Sequence, residues 1–457
     1  MCVQDKGGSE DCLFLNVFVN KAQVESSHDK DTTLLPVAVF IHGGSFIEGA
    51  AKNYDGYNPV DYWEGKAVFV TLDYRVNVFG FLGSAALRDE HDHSSGNWGI
   101  QDQRMALQWI QNNIEAFGGD PRAVTIIGQS AGGGSVSNHL VMKASWPYFS
   151  AAIIESGSFP HWIAQSMSRA EDTYTNLASE LQCVDQSLDC IRNKSTKEVY
   201  EAAQRVPTVD PDHYLSPFAP VVDGIELHTH PFLAVSQGEV ADVPIVHGSN
   251  RDEGILFVSS LDRSATEDDL LTYWSKEKHY TASQVETLRE IYLTQDYPEG
   301  KMTSSFWWAG QRSVGDELFS CPAQYLSQQL QGQIYRRRQS ATHMYFFGFP
   351  SFDLGTTIHT AEIPYVFHWK LGNLASTELS DVMSSYWGNS IVDLDPNSQT
   401  VGIKSEVFFP WPEYSAQGDE VLVFDSATDI FVSSNLKKTE CDFLLPIIEA
   451  SIRQDFT

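Results

Sequence analysis

Positive charge is scarce in this chain. Lys and Arg number 30 against 60 Asp and Glu among 457 residues, a formal net charge of −30. A surface that acidic repels phosphate backbones and anionic lipid heads, which argues against nucleic-acid or membrane-surface binding. The longest basic run, Arg336-Arg337-Arg338, is too short to reverse this. Long apolar runs are also missing, and no stretch approaches the roughly 20 residues of a membrane span. Met1-Cys2-Val3-Gln4-Asp5-Lys6 does not read as a secretory leader, nor Arg453-Gln454-Asp455-Phe456-Thr457 as an anchor or retention signal. H-E-x-x-H, C-x-x-C and G-x-G-x-x-G are absent, so neither a metal nor a nucleotide cofactor is expected.

Cysteine is sparse but evenly counted: Cys2, Cys12, Cys183, Cys190, Cys321 and Cys441. The simplest pairing is Cys2–Cys12, Cys183–Cys190 and Cys321–Cys441, which would place the chain in an oxidising compartment. On spacing alone, six reduced cysteines in a cytosolic protein are an equal alternative. The sequon Asn193-Lys194-Ser195 beside the second pair makes Asn193 a glycosylation candidate and agrees with the oxidising reading.

Apolar strands alternating with longer helices are what the chain does contain. Strands are expected near residues 13–19, 35–41, 67–72, 124–127, 151–154, 243–246, 343–347 and 421–424. Residues 20–34 read as a polar surface loop. A helix is expected from Asn97 to Phe117, with Ile100, Met105, Leu107, Trp109, Ile110 and Ile114 at helical spacing. Residues 160–240 and 260–340 read as helix-rich excursions over one sheet edge. The pattern predicts an α/β fold, a mostly parallel central sheet with helices on both faces, as one domain over residues 1–457.

The most informative stretch is Ala123 to Leu140. The apolar run Val124-Thr125-Ile126-Ile127 leads into Gly128-Gln129-Ser130-Ala131-Gly132, a G-x-S-x-G turn followed by small residues that start a helix. At a strand-to-helix turn this is a nucleophile elbow, which lifts the Ser130 hydroxyl clear of the backbone. A serine hydroxyl needs a base, a carboxylate to orient the base, and amide donors for the oxyanion. The donors expected are the N–H groups of Gly43 and Gly44, after the strand ending at Ile41, with that of Ala131. Asp252 and Glu253 both follow a strand, and the residues alone leave them evenly matched. Of the downstream histidines, His279 lies in a charged run, His343 opens a strand and His368 follows an apolar turn. His359 sits in a loop past a strand and is the favoured base.

These residues together resemble the type-B carboxylesterase/cholinesterase-like family of α/β-hydrolases. The resemblance runs from Ser9-Glu10-Asp11-Cys12-Leu13 and His42-Gly43-Gly44-Ser45-Phe46 through Gly128-Gln129-Ser130-Ala131-Gly132-Gly133 and Ser156-Gly157-Ser158. It continues to Asp252-Glu253-Gly254, His359 with Glu362, and Asp395-Pro396-Asn397. It implies Glu253 as the acid, His359 as the base, all three cysteine pairs, an ion pair between Arg75 and Asp102, and Trp162 on the acyl side of the pocket. Three departures stand out. The chain starts where the family is already well into its fold, so an N-terminally truncated form with a bare sheet edge is expected. The loop between Cys2 and Cys12 has no aromatic residue, and Gln129 stands where cholinesterases have Glu. Ser45 replaces a glycine found in many relatives.

The expected activity is therefore hydrolysis of a small-molecule carboxylic ester through a Ser-His-Glu triad and an acyl-enzyme, on short-chain or generic esters rather than choline esters. A secreted or extracytoplasmic location is expected from the cysteines. The alternatives are a non-catalytic adhesion module of the same fold, or a lipase or thioesterase with the same triad.

Overall fold

The computed structural model describes Met1 to Phe456 except residues 6, 27–32, 89–90, 92, 184–185, 209–215, 299–302, 335–339, 351–354, 370–375, 403–408, 416–417 and 427. The basic run Arg336-Arg337-Arg338 lies outside the described residues.

Nine strands form the central sheet: β1 (Leu15–Phe18), β2 (Leu35–Ile41), β3 (Val68–Leu72), β4 (Gly119–Gln129), β5 (Ala151–Glu155), β6 (Ile245–Asn250), β7 (Thr342–Phe347), β8 (Glu420–Phe424) and β9 (Ile430–Ser434). Their spatial order is β1-β3-β2-β4-β5-β6-β7-β8-β9. All neighbours pair in parallel except the two edge pairs, β1 with β3 and β8 with β9.

The uninterrupted apolar strands follow from burial on both faces. In β2, Val37, Val39 and Ile41 join one hydrophobic cluster, while Ala38 and Phe40 join another on the opposite face. The first cluster is closed by α1 (Trp98–Asn113) through Ile100, Leu107 and Ile110, and by α2 (Ala131–Val141) through Val136 and Leu140. The second is closed by α4 (Thr377–Val392) through Leu379, Met383, Tyr386 and Trp387. Residues 114–117 finish the expected helix as a 3-10 turn, stopped at Gly118 in the left-handed region. Met105, expected on the apolar face of α1, is instead 57% exposed, because it sits half a turn off the stripe made by Ile100, Leu107 and Ile110.

Two further expectations change. The stretch read as a polar loop contains a short helix, Lys21–Ser26. The helical excursions do not ride on a sheet edge: Leu177, Leu270, Trp274, Leu288 and Leu326 belong to the same hydrophobic cluster as α1 and α2. Among them α3 (Cys321–Ile334) is joined by the Cys321–Cys441 disulfide to α5 (Lys438–Phe456). Cys2–Cys12 and Cys183–Cys190 are the other two bridges, so all six cysteines pair as expected.

Candidate active site

The elbow is a close approach of three backbones. β4 delivers Ser130 at φ 57° and ψ −125°, a strained conformation for a residue with a Cβ. Ser130 N–H donates to the Glu155 carbonyl (2.9 Å) and its carbonyl accepts from Gly134 N–H (2.8 Å), which holds the turn. A Cβ on Gly132 would lie 2.0 Å from the Ile41 carbonyl oxygen, and one on Gly128 2.2 Å from that of Gly132. Only glycine lets α2 start this close to β2 and β4.

The acid and the histidine arrive on two loops stitched together. Glu253 follows β6, and His359 lies beyond β7. Asp252 N–H donates to the Thr357 carbonyl (3.0 Å), and Thr357 N–H to Asp252 Oδ2 (3.0 Å). Asn250 Nδ2 donates to the Ile358 carbonyl (3.0 Å). This brings His359 Nδ1 to 2.5 Å from Glu253 Oε2. Glu253 Oε1 accepts from Ser156 Oγ (2.6 Å) and Asn250 N–H (2.7 Å), so the buried carboxylate is held at both oxygens. With Nδ1 donating to the carboxylate, Nε2 carries the lone pair. Gln129 Nε2, from the residue preceding Ser130, stands 3.3 Å from it. His359 and Ser130 border the same cavity.

Asp252, the other acid left open by the residues alone, faces away. Its carboxylate takes Gln311 Nε2 (3.2 Å), Arg312 Nε (3.3 Å) and Arg251 Nε (3.4 Å) and acts as a buried anchor. Among the other histidines, His343 is buried in β7, where burial lowers its pKa to about 4. His368 binds Asp381 (2.8 Å) and stacks on Tyr62.

Peptide planarity orients the loop at residues 42–49, because the C=O and N–H of one unit point in opposite directions. The His42 carbonyl accepts from the Tyr74 hydroxyl (2.8 Å), so Gly43 N–H points the other way. The Gly43 carbonyl accepts from His42 Nδ1 (2.8 Å), and that of Gly44 from Ile47 and Glu48 N–H (2.9 and 3.0 Å). The N–H groups of Gly44 and Ser45 are therefore turned away from those partners. Sequence reading named Gly43, Gly44 and Ala131. Gly43 and Gly44 border the cavity of Ser130, as does the neighbouring Ser45. Ser45 holds φ 53°, in the left-handed region. The resemblance had marked Ser45 only as a departure.

Two cavities meet at Ser130. A small one, with a free volume of about 30 Å³, is lined by Phe46, Trp162, Phe257, Leu318 and Phe319. Trp162 is pinned by its indole N–H on the Leu318 carbonyl (3.3 Å). The other is open and polar, about 560 Å³. Phe257 and Phe319 also flank the His359 ring, at 5.4 and 4.8 Å between centroids. Neither stood out in the sequence, since an aromatic residue in a helix-rich segment reads as core.

A family model for the carboxylesterase family matches residues 2–444. The chain belongs to the carboxylesterase family. This chain is a carboxylesterase of the α/β-hydrolase fold. It is 30% identical over 448 residues to a para-nitrobenzyl esterase of Bacillus subtilis, spanning 92% of this chain and 80% of that protein. It is 30% identical over 447 residues to an acetylcholinesterase of Bungarus fasciatus, spanning 90% of this chain and 68% of that protein. A solved Geobacillus stearothermophilus carboxylesterase superposes with a TM-score of 0.79 at 27% identity, covering 96% of this chain and 87% of that one.

Outside the site, Arg75 binds Asp102 through Nε (2.7 Å) and Nη2 (2.8 Å), tying the loop after β3 to α1. Asn193 is exposed. No helix among the described residues is long and apolar enough to cross a membrane. The three disulfides point to an extracytoplasmic compartment.

Proposed function

We propose that this carboxylesterase works through Ser130 as nucleophile, His359 as base and Glu253 as the acid that orients the imidazole. The observation that carries the reading is His359, held by Glu253 at Nδ1 with Nε2 turned to the elbow and bordering the cavity of Ser130. Ser130 Oγ attacks the ester carbonyl while His359 Nε2 takes its proton. The oxyanion is received by the N–H groups of Gly44, Ser45 and Ala131. His359 then gives the proton to the departing alcohol. Water, activated by the same ring, releases the acid from the acyl-enzyme. For this step Gln129 Nε2 must yield the Nε2 lone pair to Ser130.

The aromatic-walled cavity is the smaller of the two and so favours short acyl groups. The loop from Cys2 to Cys12 offers no aromatic face for a quaternary ammonium, which argues against choline esters. The disulfides and exposed Asn193 are consistent with a secreted enzyme.

The test is a p-nitrophenyl ester series of increasing acyl length on the wild type and Ser130→Ala. The expected result is turnover that falls with chain length and disappears in the variant. Equal turnover in both proteins removes Ser130 from its role. A folded wild type with no turnover favours a non-catalytic binding module.

A further inference from the structure

The open cavity beside Ser130 differs in chemistry from the small one, and the difference concerns the alcohol half of the substrate. This inference rests on the reading of Ser130 as nucleophile. Once the acyl group is assigned to the aromatic cavity, the alcohol must occupy the open one, because the two meet at Ser130, Ser45 and Phe257.

The polar part of its wall carries Glu48, Lys52, Asn53, Tyr54, Gln129 and Thr360, beside the apolar Leu256 and Phe257. Glu48, Lys52, Asn53 and Thr360 are exposed, and Glu48 and Lys52 hold no ion pair among the described residues. One carboxylate, one ammonium, two amides and two hydroxyls give both donors and acceptors, with no excess of either sign. An alkyl alcohol would desolvate these groups without replacing their hydrogen bonds, at a cost in affinity. A cationic alcohol would meet Lys52 and would find no free aromatic cage, since Tyr54 packs on Phe40 at 4.5 Å and Phe257 on Phe319 at 5.2 Å. An anionic alcohol would meet Glu48. A hydroxyl both donates and accepts, so several hydroxyls on one skeleton match this wall.

We propose that the open cavity is a binding site for a multiply hydroxylated alcohol, and that the preferred substrates are short-acyl esters, acetates above all, of sugars or polyols. The reaction consumes one water. The acyl C–O bond to the polyol breaks after the bond to Ser130 Oγ forms, the polyol leaves with the proton from His359, and water releases acetate. Lys52 and Asn53, together on the short turn Ala51–Asn53, would reach hydroxyls far from the ester.

The experiment compares matched acetates by acid release: glucose 6-acetate against cyclohexylmethyl acetate, and glycerol monoacetate against propyl acetate. Wild type should show kcat/KM at least about tenfold higher for the hydroxylated member of each pair, a selectivity of roughly one to two hydrogen bonds. The ratio should fall at least threefold in Lys52→Ala and Asn53→Ala, with folding checked by thermal melting. Ratios at or below one, a preference for acetylcholine, or ratios unchanged in both variants overturn the proposal. Ser130→Ala reads the nucleophile separately. If it loses both members of a pair while wild-type ratios stay near one, the alcohol-site inference fails and the nucleophile reading stands. If it keeps both, the nucleophile reading fails.

Discussion

His42 holds the carbonyl of its neighbour Gly43 through Nδ1 at 2.8 Å, so a buried imidazole sets the plane of the peptide whose N–H belongs to Gly44. Its ring lies flat on Tyr74, with centroids 4.3 Å apart, and a Cβ on Gly49 would come within 2.2 Å of Nδ1. The ring is thus clamped from two sides. Substituting His42→Ala frees the peptide to rotate. The expected result is a fall in kcat of about 10- to 100-fold with KM changed only a few-fold, below the roughly 10²–10³ of losing a donor outright. Steady-state kinetics on p-nitrophenyl acetate check it, and an equal rise in KM would place His42 in substrate binding instead.

Glu253 and Asp252 are adjacent carboxylates with separate duties. Glu253→Gln should lower kcat by on the order of 10⁴, since an amide cannot hold the imidazole in the tautomer that leaves Nε2 open. Asp252→Asn should leave more activity but a lower melting temperature, because Arg312, Gln311 and Thr357 all converge on that carboxylate. Comparable losses of kcat in both variants would contradict this division.

Behind Glu253 lie two more buried carboxyl groups. Glu362 accepts from Asn250 Nδ2 (2.5 Å) and Glu155 from Trp387 Nε1 (2.7 Å). Burial, then the charge of Glu253, raises the Glu362 pKa from 4.5 to about 7, and burial likewise pushes Glu155 well up. The folded state therefore binds this proton more tightly than the unfolded state between about pH 4.5 and 7. Stability from this group is greatest below pH 4.5 and declines as pH rises to 7. Glu362→Gln should raise the melting temperature at pH 8 relative to wild type and have a smaller effect at pH 5. Differential scanning calorimetry at the two values reads the sign.

Four buried histidines act in the opposite direction. Burial lowers the pKa of His42 and His343 to about 4, and of His139 and His230 to about 3. The unfolded chain binds these protons first, so stability is full above pH 6.5 and is lost as pH falls toward 3–4. Acid unfolding followed by circular dichroism should set in below pH 6, and replacing His139 with Gln should move the midpoint to lower pH.

Gly132→Ala should lower stability by at least about 2–3 kcal/mol or prevent folding, since its Cβ would meet the Ile41 carbonyl oxygen. Gly332→Ala, in α3 with nothing near, should be neutral or stabilising by up to about 1 kcal/mol. Urea titrations of the two variants give the comparison.

Much of this was legible in the residues. β2 spans the stretch read from Leu35 to Ile41, because a strand buried on both faces needs no polar residue along its length. β6 was read two residues early and cut at Val246. Its second half, His247-Gly248-Ser249-Asn250, looks like a loop by polarity, yet pairs with β7 throughout. What sequence could not supply were the partners that make polar residues acceptable there. His247 Nε2 meets Ser327 Oγ at 2.8 Å, and Ser249 meets Ser320 at 3.1 Å. β9 escaped notice for a related reason: at a sheet edge its pattern is mixed, with Phe431 exposed beside buried Ile430. In the site, the turn at Ser130 was readable from its glycines, and β4 does pass into α2 there. Ser156 and Asn250 were not assigned roles, because their bonds are made by a hydroxyl and a backbone N–H directed at a carboxylate distant in sequence.

The bridge from Cys321 to Cys441, 120 positions apart, closes a covalent ring that contains His359 and Glu362 but neither Ser130 nor Glu253. A protease that cuts once inside this ring leaves one molecule under oxidising conditions, with the histidine-bearing loop and the C-terminal helix still tethered. Adding a reductant to the nicked protein would release the fragment carrying α5. The lifetime of a damaged enzyme would then be governed by thiol chemistry more than by the first cut.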